Sequence, residues 1–225
     1  MYRRQFLLSL ASVGFSLTPS AGVSSQRAGT VFNIVWRDLE VGYSSINIVK
    51  NYNQIIASID VKIDVVLLGI KFFSYSLECQ EIWENKKLLS LKSEVFVGKK
   101  REFAHVKKVP NGFEISGSGF SGIIDGNPAT TSYFTPDFLK RSVWISTQNG
   151  KPLKVQSKMI GTEELQGPTG KITATNWEVS GDLNINLYYN QDNEWVGSNF
   201  KVGGSRANFL LHNKIGRSHQ LWETS

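Results

Sequence analysis

From Thr30 onward, apolar and polar residues alternate with a period of two, in segments closed by Gly, Pro, Asn and Lys-rich turns. Val31–Trp36 opens the series, Gly42 interrupts the next stretch, and Ser45–Val49 follows. The clearest alternation sets Ile59, Val61, Ile63 and Val65 against Asp60, Lys62 and Asp64, within a long run from Ile55 to Leu68. That length predicts a strongly bent strand or the arm of a hairpin. Residues 71–83 and 88–97 pair across a turn of Glu84-Asn85-Lys86-Lys87 composition, and Gly98-Lys99-Lys100 turns again. Segments 102–109 and 113–118 flank Pro110-Asn111-Gly112, where Asn-Gly favours the positive backbone angles of a tight hairpin. Further strands are predicted at 153–160, 171–179, 183–189, 194–202 and 206–212.

Residues 117–142 break this rhythm with Gly117, Gly119, Gly122, Gly126 and Pro128. Within them, Thr135-Pro136-Asp137 places a capping hydroxyl, a proline at the first helical position and an acid in the first turn, which predicts one short helix. The pattern amounts to about ten to twelve strands with short connections and no strand-helix-strand alternation. The expected fold is all-β, a single curved antiparallel sheet or barrel with one short helix.

The first residues read differently. Arg3-Arg4-Gln5-Phe6-Leu7 precedes an uncharged apolar run to Leu17 and small residues to Ser25. That is the order of a cleavable export signal, with a twin-arginine-like start, and the run is shorter than the ~20 residues a membrane-spanning helix needs. The chain therefore divides into a leader, 1–25, and a single β domain, 26–225, cut somewhere between Ala21 and Gln26. The expected location is the periplasm, or outside the cell. Twenty-five Lys and Arg against nineteen Asp and Glu give a net charge of +6, and loss of Arg3 and Arg4 leaves +4. One cysteine, Cys79, excludes an internal disulfide and a cysteine-based zinc cluster.

The strand 71–83 carries one chemical oddity. Its apolar face holds Phe73, Tyr75, Leu77, Cys79, Glu81 and Trp83. A carboxyl on such a face must find a partner or accept a raised pKa. Glu81, Trp83, Tyr75 and Cys79 are thus the candidate ligand-facing residues, with Glu81 either a ligand-contacting or proton-transferring acid. The alternatives are a buried glutamate paired with an Arg, Lys, Tyr or Trp on a neighbouring strand, or one near the rim in water. No catalytic residue, metal ligand or cofactor site is assigned. Gly117-Ser118-Gly119-Phe120-Ser121-Gly122 has dinucleotide-loop spacing but precedes no suitable helix, and His105, His212 and His219 lack metal-ligand spacing. The basic clusters Lys86-Lys87, Lys99-Lys100-Arg101 and Lys107-Lys108 read as solvated residues, mostly at hairpin tips, or as attraction to an anionic membrane surface, with no nucleic-acid partner expected.

The order of elements resembles an exported bacterial family catalogued as a domain of unknown function (number six-one-three-four). The resemblance rests on Phe32 through Gly42, Glu81-Ile82-Trp83 with Leu88, Thr131-Ser132-Tyr133-Phe134, Gly150-Lys151-Pro152-Leu153, Gly161-Thr162-Glu163-Glu164, Gly181-Asp182-Leu183 leading to Tyr188-Tyr189, and Trp195. It covers roughly residues 30–212 and implies no established activity, so no catalytic residue is carried over. This chain has Tyr133-Phe134-Thr135 and Tyr188-Tyr189-Asn190 where the family shows Tyr-Trp-Asn and Trp-Tyr-Asp. A looser likeness of the Glu-x-Trp strand is to half-barrel lipoprotein carriers, which speaks to fold and not to function. Three functional readings result. The first is a periplasmic binding module for a lipid or other apolar or amphipathic ligand. The second is a structural or interaction protein of the envelope with a filled core, and the third an enzyme using Glu81 as acid or base. An open cavity facing Glu81, Trp83 and Tyr75 favours the first, and a packed core the second.

Overall fold

The computed structural model describes residues 26–225; the export signal expected at 1–25 lies outside the described residues. Fifteen strands form one sheet. The first eight are β1 (Gln26–Trp36), β2 (Leu39–Asn51), β3 (Gln54–Leu67), β4 (Ile70–Glu84), β5 (Lys87–Val97), β6 (Lys100–Val109), β7 (Gly112–Gly117) and β8 (Ser121–Ile124). The rest are β9 (Ala129–Thr130), β10 (Val143–Ile145), β11 (Pro152–Gly167), β12 (Gly170–Gly181), β13 (Ile185–Asn190), β14 (Trp195–Val202) and β15 (Ser205–Ile215). Each hairpin-linked strand lies beside its neighbour in sequence, and β1 pairs with β15, so the two halves of the chain join at the middle of the sheet. All pairs are antiparallel except β9 with β10.

The curved antiparallel architecture agrees with the sequence pattern. The strands beyond the expected number are β8, β9 and β10, two to four residues each, too short to display a period. The expected helix is the single 3-10 turn Pro136–Lys140, with the Thr135 hydroxyl accepting from the Asp137 amide at 3.3 Å. A second helix, α1 (Ser218–Glu223), was not legible locally. Its own N-cap side chain makes no hydrogen bond. Instead the buried Glu194 carboxylate accepts from the Ser218 and His219 amides, both at 3.0 Å, and pairs with Lys214 at 3.2 Å. Glu194→Ala is expected to cost about 2 kcal/mol, the worth of charge-assisted bonds to two helix-end amides. Hydrogen exchange should then lose protection at 218–223 while the β1–β15 ladder keeps its own; unchanged protection of α1 would contradict the assignment.

The sheet curls without closing edge to edge. The segment between β8 and β11 folds back across the concave face of β4–β7. Ser93 Oγ donates to the Thr147 carbonyl at 2.5 Å, Gln148 donates to Glu102 at 2.6 Å, and the Gly119 amide donates to the Asn149 carbonyl at 2.8 Å. Gly117 is required where this segment crosses β7, since a Cβ there would stand 2.4 Å from the Asn149 carbonyl oxygen. Residues 129–150 are thus an internal plug. Among the described residues, no helix is long and apolar enough to cross a membrane.

Candidate functional site

Period-two geometry aims Leu77, Cys79, Glu81 and Trp83 of β4 into the concave interior, all buried, with Tyr75 partly buried above them. The plug meets this face directly. Glu81 Oε2 accepts from Trp83 Nε1 at 2.8 Å and from Ser132 Oγ at 3.1 Å, and Ser132 Oγ lies 2.8 Å from Thr130 Oγ1. Glu81 Oε1 has no hydrogen-bond partner, and no cation pairs with the carboxylate among the described residues. Glu81 is buried, but its aromatic partner is Trp83 of the same strand and not a residue of a neighbouring one, and the plug adds two hydroxyls that local sequence gave no reason to place there. Desolvation pushes the carboxyl from its ordinary 4.5 up to about 7, against the hydrogen bonds from Trp83, Thr130 and Ser132 that pull it down. The same burial, with the nearby Glu81 charge, holds the Cys79 thiol well above its usual range, so it is no ready nucleophile.

Around this clamp the interior is aromatic. Trp83 stacks on Phe138 at 5.0 Å and meets Trp222 of α1 edge-on at 5.3 Å and Phe134 at 6.2 Å. The Arg141 guanidinium stands 5.5 Å over Trp83 and 5.4 Å over Phe138, and donates to the Pro128 and Lys86 carbonyls at 2.8 and 2.9 Å. Trp222 Nε1 donates to Asp137 at 2.8 Å. Farther along, Tyr133 holds a left-handed backbone (φ 59°), rare for a non-glycine residue, while its carbonyl accepts from the Tyr189 hydroxyl at 2.8 Å. The recess against the core, lined in part by Thr30, Phe134, Glu194 and Trp195, is too narrow to admit a water molecule. The candidate residues therefore come together as expected, but they face the chain's own plug. Among the described residues no group of three or more His, Cys, Asp or Glu is placed to hold a metal ion.

The exterior holds what the alternation did not disclose. The last ladder pairs flanking the β3–β4 hairpin are Gly42 with Ile63 and Tyr75 with Val97. Beyond Ser74 the hairpin continues alone as a two-stranded finger, about 15 Å long at the usual strand rise. Leu68 is fully exposed (102%), Phe72 65% and Ile70 62%, with Val66 and Phe73 also exposed. The signal in the sequence is the loss of alternation in Val65-Val66-Leu67-Leu68-Gly69-Ile70, an apolar run that no single buried face accounts for. The tips of β1–β2, β5–β6 and β14–β15 lie at the same end, tied in part by Trp36 Nε1 to the Val202 carbonyl (3.2 Å) and Arg37 to Ser205 Oγ (3.0 Å).

The model of a family described as a domain of unknown function, DUF6134, matches residues 32–212. The chain belongs to that family. No curated protein matches it in sequence. A crystal structure described as a beta-barrel-like protein of domain of unknown function DUF1849, from Brucella abortus, superposes with a TM-score of 0.54, covering 84% of this chain and 97% of that one at 7% identity. At that identity the likeness concerns the fold alone. This DUF6134 member thus combines a barrel-like sheet, an occupied interior and an apolar finger.

Proposed function

We propose that the chain is an exported, periplasmic binding module that engages an apolar or amphipathic partner through the finger end of the barrel. The observation that carries this reading is the concentration of exposed apolar side chains on the β3–β4 finger while the interior is filled by residues 129–150 and α1. Large apolar groups left in water cost free energy, and a contiguous set of them marks a contact surface. A ligand inside the sheet would have to displace the plug from Glu81 and the aromatic cluster. A catalytic role for Glu81 needs a cleft beside its carboxyl, and that space is taken by Trp83 and Ser132. The filled interior equally suits an envelope interaction protein without a small ligand, in which case the finger meets a macromolecular partner.

Titration with a fluorescent fatty acid tests the reading. The purified protein should bind the probe saturably. The variant Leu68→Ser, Ile70→Ser, Phe72→Ser should bind at least about tenfold more weakly, since each side chain contributes on the order of 1.5 kcal/mol or more when buried. All three are exposed, so the melting temperature should hold. No binding by the wild type, or equal binding by the variant, would refute the proposal.

A further inference from the structure

We infer that the finger end docks on a bilayer surface that carries anionic headgroups, with the β3–β4 tip inserted at the interface and the basic residues at its base against the phosphates. The inference rests on the preceding reading of the finger as the binding end and names its partner. Three features carry it. First, the tip exposes apolar side chains on both faces of the hairpin, Leu68, Ile70, Phe72 and Phe73, with Lys71 neutralised by its ion pair with Asp64, which suits immersion in an isotropic apolar medium better than a one-sided groove. Second, its reach of about 15 Å exceeds the roughly 5–10 Å depth of interfacial insertion. Third, most of the net positive charge of residues 26–225 sits in the right place. Residues 36–43, 62–75, 94–102 and 201–206, which make up this end, carry eight Lys and Arg against five Asp and Glu.

The acids there are largely engaged. Asp64 holds Lys71 at 2.7 Å, Glu94 holds Arg101 at 2.5 Å, and Glu102 holds Lys100 at 2.6 Å. Lys62, Lys99 and Lys201 are exposed and make no ion pair among the described residues, so their charges face outward. A lysine near an anionic surface adds attraction that falls off within a Debye length, so binding should weaken with salt. The apolar tip supplies the part that salt does not remove. No long apolar helix is needed for this mode of attachment.

Vesicle co-sedimentation tests it, with phosphatidylcholine vesicles beside equimolar phosphatidylcholine and phosphatidylglycerol. Expected is binding to the mixed vesicles, weakened by high salt. Lys62→Gln, Lys99→Gln, Lys201→Gln should lower it about tenfold or more, and Leu68→Ser, Ile70→Ser, Phe72→Ser should abolish it, both with unchanged melting temperature. Equal binding to both vesicle types overturns the anionic-surface inference and leaves the apolar-partner reading standing. No vesicle binding, with concentration-dependent self-association lost in the tip variant, overturns it in favour of a second copy pairing with the open edges of the finger. No vesicle binding, no self-association and no fatty-acid binding overturns the inference and the reading beneath it together.

Discussion

Replacing Trp83 by alanine is expected to cost about 4 kcal/mol, the range for emptying a fully buried aromatic site, and to lower the melting temperature by about 10 °C. Trp83 is the hub where strand, plug and C-terminal helix meet. It touches Phe138, Phe134 and Trp222, lies under Arg141, and donates to Glu81. The cavity cannot collapse easily, because its walls come from three separate elements, each held by its own bonds: β4 by its ladders, the plug by Ser132, and α1 by Glu194. Trp83→Phe separates the two contributions. It keeps most of the ring packing and removes the N–H, so its loss should be about 1–2 kcal/mol. It should also push the Glu81 carboxyl further up, since a bond to the charged form is gone. A Trp83→Ala protein as stable as the wild type would show that the plug does not depend on this contact.

Glu81 should make the protein more stable in mild acid than in mild base. The folded state holds its carboxyl at about 7 against an ordinary 4.5, so it binds the proton more tightly than the unfolded chain. The stabilisation is complete below 4.5, falls as pH rises, and is lost above 7, a change of about 3 kcal/mol. Most carboxylates act in the reverse sense. Glu102 is one: hydrogen bonds from Lys100 and Gln148 hold it below its usual range, so its contribution disappears in acid. The comparison that isolates Glu81 is therefore Glu81→Gln against wild type. The amide imitates the neutral carboxyl, keeping an oxygen for Trp83 and Ser132. Denaturant unfolding should give near-equal stability at about pH 4.5 and a Gln advantage of about 3 kcal/mol at about pH 8.5. A constant difference across that interval would mean that Glu81 stays ionised throughout.

Much of this architecture is visible in the residues themselves, because a strand buried on one face writes a period of two. Ile59, Val61 and Ile63 show it, and so does β4, where the same period delivers Glu81 and Trp83 to one face. What stayed hidden is what depends on distant partners. The start of α1 is completed by Glu194, twenty-four residues away from Ser218, so no local capping pattern announces it. Strands β8 to β10 are too short to show a period. Residues 131–142, between β9 and β10, have mixed composition because they fill the concave surface instead of extending the sheet. Ser132, the bond that joins plug to carboxyl, is one serine among many in the sequence. The finger was legible only as an anomaly, an apolar run on both faces of a hairpin. Whether such a run is core or surface depends on whether other strands reach it, and here β2 and β5 stop short.

Quenching by an amphiphile with a brominated chain tells most directly whether the partner sits outside or within. In a Trp36→Phe, Trp177→Phe background, which removes the two tryptophans that are not buried, Phe72→Trp places a reporter on the finger, while Trp83, Trp144, Trp195 and Trp222 remain buried in the interior. Saturable quenching of the finger reporter is expected, with the buried tryptophans unaffected. Quenching of the buried set, with the finger reporter still bright, would contradict binding at the finger and put the amphiphile where the plug now lies.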